Sequence, residues 1–273
     1  MENKVYPTMK SAILLCLLCI GIQLVAGLII GVFQLIFDIP ENSPIIGVAY
    51  IVVSIISFGI VLLIGFTKTK RSFMEVFKFK KVSSFSWGVI TILTIGLSIV
   101  VSGIDNLIQL ILPMPEWFSD MFGSLLVEQS LIISLIHVAL IAAISEELFF
   151  RGLILDGFNN NYSKKKAIII SALLFGLIHL NPWQLVSGFV SGLVLAYICI
   201  ETKSILLCIY MHFLNNAGAV IMYRLNDVIP IRGYNVTTSV EFQPLWFTLS
   251  GLLLLCIGIF LFIKDIQKIN TCA

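Results

Sequence analysis

A chain of 273 residues with 59% hydrophobic and only 12% charged residues is too apolar for a soluble domain, which would carry about a quarter charged residues. Its mean hydropathy of +1.04 places it in a bilayer, and a net charge of +2 offers no basic surface for nucleic acid. The six cysteines, Cys16, Cys19, Cys199, Cys208, Cys256 and Cys272, lie in or beside apolar runs without a CxxC pair, so they read as small membrane-helix hydrophobes rather than disulfides or zinc ligands.

A span needs about 20 mostly apolar residues. On that rule the first helix covers residues 11–37 and the second 45–66. The first run is too long for a signal-peptide core and is expected to stay as a helix. A basic stretch follows, Lys68, Lys70, Arg71, Lys78, Lys80 and Lys81, with Phe73, Val76 and Phe77 on one side. It is expected to be a short helix lying on an anionic membrane surface. The third span runs over 87–112, and Pro113 to Trp117 form a turn. The fourth, 130–158, carries Glu146, Glu147 and Arg151. Lys164 to Lys166 mark the return, the fifth span ends near Leu180, and Asn181 and Pro182 are expected in a water-filled hollow. Spans over 184–200, 204–223 and 245–263 complete the chain.

The predicted fold is therefore all-α: one integral membrane domain over 1–273 with about eight transmembrane helices, its motif-bearing core at about 125–223. With both termini in the cytoplasm, all but Arg224 and Arg232 of the 17 basic residues fall on the cytoplasmic side or inside the membrane, as the positive-inside rule requires. The expected location is a bacterial cell membrane.

Ionisable groups at membrane depth are costly unless paired or working. On a helix Glu147 and Arg151 stand four residues apart and neutralise each other, whereas Glu146 points about 100° away and keeps no local partner. His179 closes Phe175-x-x-x-His179 on the fifth span, and His212 and Asn216 share one face of the seventh. His137 reads as a packing or interfacial residue. At ~1.5 Å rise per residue, Glu146, His179 and His212 reach depths that let them meet in one intramembrane cavity. A carboxylate beside a histidine can take a proton from water, and an imidazole and an amide can donate to the oxyanion that follows. The same Glu146, His179 and His212 could instead ligate a catalytic zinc. There is no His-Glu-x-x-His, which leaves Leu155-Asp156-Gly157 without a partner motif for a zinc site.

In this order, Glu146-Glu147-x-x-x-Arg151, Phe175-x-x-x-His179 and His212-x-x-x-Asn216 resemble the CAAX protease and bacteriocin-processing family, also called Abi, which includes the type II CAAX prenyl endopeptidases. The resemblance implies a glutamate-dependent intramembrane endopeptidase acting on a peptide or membrane-protein substrate. It implies that Glu146 and His179 activate water, that His212 and Asn216 hold the oxyanion, and that Glu147 and Arg151 orient the helix or meet the substrate's carboxyl end. The mechanism proposed for that family needs no bound metal. A rival is an immunity protein or membrane scaffold that binds a partner without cutting it. A second is a proton-relay transporter, but such proteins usually show paired halves and this chain has no matching half.

Overall fold

The computed structural model describes residues 4–127, 129–234 and 240–271. The described residues form ten helices: α1 (Met9–Phe37), α2 (Pro44–Thr69), α3 (Phe73–Phe77), α4 (Ser84–Ile111), α5 (Glu116–Val127), α6 (Leu131–Asn161), α7 (Lys164–Leu177), α8 (Pro182–Thr202), α9 (Ile205–Arg224) and α10 (Leu245–Thr271). Seven of them are long and apolar enough to cross a membrane, so this is an all-α polytopic membrane protein. The predicted fifth span is the exception. At 14 residues α7 is ~21 Å long, short of a ~30 Å hydrocarbon core.

Helix α6 is the axis of the bundle. From Phe149 to Phe158 every residue is buried, charged ones included, as a helix surrounded on all sides requires. It is not uniformly α-helical: wide π turns over Leu135–Ile141 and Leu148–Ile154 flank one regular stretch, Ala142–Glu147. Such turns rotate the side chains that follow and recur at functional sites. Here they bracket both glutamates.

Close backbone packing sets α7 against α8. A Cβ at Gly176 would collide with the Leu185 carbonyl oxygen, one at Gly188 would lie 3.2 Å from Gly176 Cα, and one at Gly192 3.0 Å from Ala172 Cα. Small residues let membrane helices approach in this way. The turn between them is equally tight. Leu180 takes the left-handed conformation at φ 56°, and Asn181 Oδ1 accepts the Gln184 N–H at 2.8 Å as the cap of α8, with Pro182 in its first turn. Asn181 is thus a helix cap, and the expected hollow lies elsewhere, as described below.

The basic stretch after α2 departs from the expected membrane anchor. Val76 and Phe77 are buried in the core, and the Phe77 ring fills the space that a side chain at Gly152 would occupy. Asp156, buried at the end of α6, accepts from Arg71 Nη1 and, at 2.6 Å, from Lys78 Nζ. Two of the cations therefore neutralise a buried acid, and α3 docks on protein. Its N-terminus is capped by Ser72, whose backbone N–H and hydroxyl both donate to Glu75 Oε2 and hold that carboxyl below the usual carboxylate range.

Both tails lie at this same end. Val5 and Asn161 exchange two hydrogen bonds, at 2.9 and 2.6 Å, and the Lys268 ammonium stands over the Phe85 ring at the start of α4. At the other end, α5 is a helix where only a turn was expected. Cys16, Cys19, Cys199 and Cys208 are buried and free, Cys256 is exposed and free, and Cys272 lies outside the described residues.

Candidate active site

Helices α4, α6, α7, α8 and α9 enclose a cavity of about 380 Å³. Its wall includes Glu146 from α6, His179 from the turn after α7, and His212 and Asn216 from α9. All four residues expected to do chemistry thus share one hollow. Its volume falls in the range of small-ligand sites and holds a few residues of extended peptide.

Glu146 Oε2 is buried and has no hydrogen-bond partner among the described residues. An ionisable group is rarely left so at this depth unless it works on something that comes and goes. Its neighbour Glu147, on the same regular stretch before the π turn at Leu148, points about 100° away around the helix. Glu147 is fully buried and accepts at Oε1 from Arg151 Nη1 and from His212 Nδ1, both at 2.9 Å. Arg151 in turn lies 4.1 Å over the Phe175 ring and reaches the Gly192 carbonyl at 3.5 Å. Neither Glu147 nor Arg151 is among the residues that line the cavity; through these bonds they hold α6, α8 and α9 together.

Hydrogen-bond partners assign the imidazoles. His179 Nδ1 lies 3.0 Å from the Phe175 carbonyl oxygen, which can only accept, so Nδ1 carries the proton and Nε2 a lone pair. His212 Nδ1 likewise donates to the Glu147 carboxylate, an arrangement that fixes ring orientation. Phe175 spaces the two rings: His179 and His212 meet it edge-on at centroid distances of 5.5 and 5.8 Å. Only the position of Phe175 in the motif was legible beforehand; its triple contact needed the fold.

An amide chain orders the opposite wall. Ser98 Oγ donates to Asn215 Oδ1 at 2.7 Å, Asn215 Nδ2 to Asn216 Oδ1 at 3.1 Å, and Asn216 Nδ2 to the Val138 carbonyl at 2.9 Å. That carbonyl belongs to the first π turn of α6. Asn216 keeps its second N–H for another acceptor. Towards the far mouth the wall is formed by α5 and the segment before α10, with Phe118 and Tyr234. Burial raises the Tyr234 phenol above its ordinary value, so it stays a hydroxyl.

Metal binding was an alternative for Glu146, His179 and His212. Two free imidazole Nε2 atoms and a carboxylate are a suitable donor set in kind. Yet among the described residues no three His, Cys, Asp or Glu side chains are grouped closely enough to hold one ion, so they do not fit a preformed site. His137, set apart from this cavity, meets Ser54 Oγ at 3.1 Å and stacks on Tyr50, consistent with a packing role.

Comparison with known proteins concerns the same stretch. Residues 128–218 match the family model described as type II CAAX prenyl endopeptidase Rce1-like. A protein of Bacillus subtilis (strain 168) named "Putative membrane peptidase YdiL" is 27% identical over 115 residues, 42% of this chain and 46% of that relative. The alignment thus spans about half the length of the curated relative. No solved structure matches. The part of the chain that builds the cavity is therefore similar to the Rce1-like type II CAAX prenyl endopeptidases, which at family level supports a membrane protease.

Proposed function

We propose that the protein is an intramembrane endopeptidase in which Glu146 and His179 activate a water molecule. The observation that carries this reading is the unpartnered carboxylate of Glu146 on the wall of a cavity it shares with His179, His212 and Asn216. Water entering between Glu146 and the His179 lone pair gives up a proton as its oxygen attacks the substrate carbonyl. The carbonyl π electrons move to oxygen, and the oxyanion is met by the remaining N–H of Asn216 and by His212 Nε2–H. Because His212 already donates through Nδ1, that second donation requires a proton on each ring nitrogen. Collapse of the intermediate breaks the C–N bond as the proton held by Glu146 passes to the leaving amine. Every step uses water and protein groups, and none is routed through a metal.

The substrate is a peptide or a segment of a membrane protein. Both tails, at the lysine-rich end of the bundle, face the cytoplasm. Purified protein reconstituted in lipid vesicles with a library of internally quenched apolar peptides tests the reading. Catalytic turnover with release of a new amino terminus is expected. A folded protein that cuts no member of the library, and no co-reconstituted membrane-protein fragment, contradicts it.

A further inference from the structure

Asp105 on α4 is an acid with no task in this mechanism. It lines the cavity, and its Oδ1 is buried without a hydrogen-bond partner among the described residues. Its neighbour Asn106, by contrast, is spent on the Gly233 carbonyl at 2.5 Å. A buried acid oxygen with nothing to bond costs stability that an incoming donor would restore.

Among the described residues no lysine or arginine lines the cavity. The arginines of α9 and the following segment are engaged elsewhere: Arg224 donates to the Gln129 carbonyl and Ser134 Oγ, and Arg232 Nε pairs with Glu241 Oε2 at 3.3 Å. Arg151 is closed off beneath Phe175. The wall thus offers two acids, Glu146 and Asp105, and no permanent cation. A substrate bringing a carboxylate finds no fixed positive partner, whereas one bringing an ammonium or guanidinium finds Asp105.

Register fixes where that cation would lie. Ser98 on α4 holds the Asn215 amide beside Asn216. Asp105 follows Ser98 by seven residues, two turns along the same face and ~10 Å along α4. An extended peptide advances ~3.3 Å per residue, so that distance is about three residues.

We propose that Asp105 makes the cavity selective for peptides with Lys or Arg about three residues from the scissile carbonyl. The word scissile rests on the endopeptidase reading; the selective site does not. The test uses peptides of one apolar frame with Lys, norleucine or Glu moved through each position. Their binding is measured on purified Glu146→Gln protein, and their cleavage by wild type separately. Lys is expected to bind at least about tenfold more tightly than norleucine in one register, with the ratio falling to about one when Asp105→Asn is added. In Asp105→Lys protein, Glu becomes the preferred residue. Equal binding of Lys and norleucine in every register, or a Lys preference that survives Asp105→Asn, overturns the proposal. A Lys preference in binding without any cleavage by wild type supports the selective site and removes the endopeptidase. Cleavage without a preference removes the site alone.

Discussion

His212 on α9 donates a hydrogen bond from Nδ1 to Glu147 on α6 at 2.9 Å, and the same carboxylate oxygen accepts from Arg151. Two helices, α6 and α9, are thereby tied through one fully buried acid. Removing one partner of such a pair strands a charge. Glu147→Ala is expected to cost about 3–5 kcal/mol, read as a fall in thermal midpoint in detergent. Replacing both residues, Glu147→Leu with Arg151→Leu, is expected to recover most of that loss, yet leave the protein inactive because His212 has lost its acceptor. A double variant as unstable as the single one would contradict the pairing.

Gly176 makes a second, steric prediction. Any side chain there meets the Leu185 backbone, which cannot yield without moving α8. Gly176→Ala is expected to destabilise by about 1–3 kcal/mol. It should also lower turnover disproportionately, because His179 stands three residues beyond it at the end of the displaced helix. Full turnover with an unchanged thermal midpoint would show that the contact is slack.

Asp156 separates fold from chemistry. Its variants touch neither the cavity nor its wall, but they release Arg71 and Lys78. Asp156→Asn is expected to speed hydrogen exchange and proteolysis across α3 and to cost about 2 kcal/mol, discounted because both cations are about a third exposed. Turnover per folded molecule should not change. A loss of turnover without loosening of α3 would point instead to a direct role for this end of α6.

How far these relationships could be read from residues alone follows from their range in sequence. Glu146, Glu147, Arg151, His179, His212 and Asn216 stood out because polar groups inside apolar runs demand a reason. The Glu147–Arg151 pair follows from four-residue spacing alone. The docking of α3 did not, since its partner Asp156 lies 85 residues from Arg71 and the stretch reads as an amphipathic surface segment. Nor did α5, whose polar and apolar residues resemble those of a loop until Phe118 is seen against Trp183, with ring centroids 4.8 Å apart. Asp105 was visible as a charge near a helix end, where solvent is the ordinary expectation. Only the cavity gave it a direction.

Chelation tests the metal-free chemistry. Purified protein dialysed exhaustively against a strong chelator is expected to keep its activity, because the proposed activation of water draws only on Glu146 and His179. Loss of activity that zinc alone restores would contradict it.

The most direct test of the central claim compares peptide cleavage by wild type and Glu146→Gln, with hydrogen exchange and thermal midpoint measured on both. Glutamine keeps the shape of the side chain and removes its capacity to take a proton. The account predicts cleavage reduced by at least about a thousandfold in a variant that folds as well as wild type. Cleavage at the wild-type rate by that variant would contradict it.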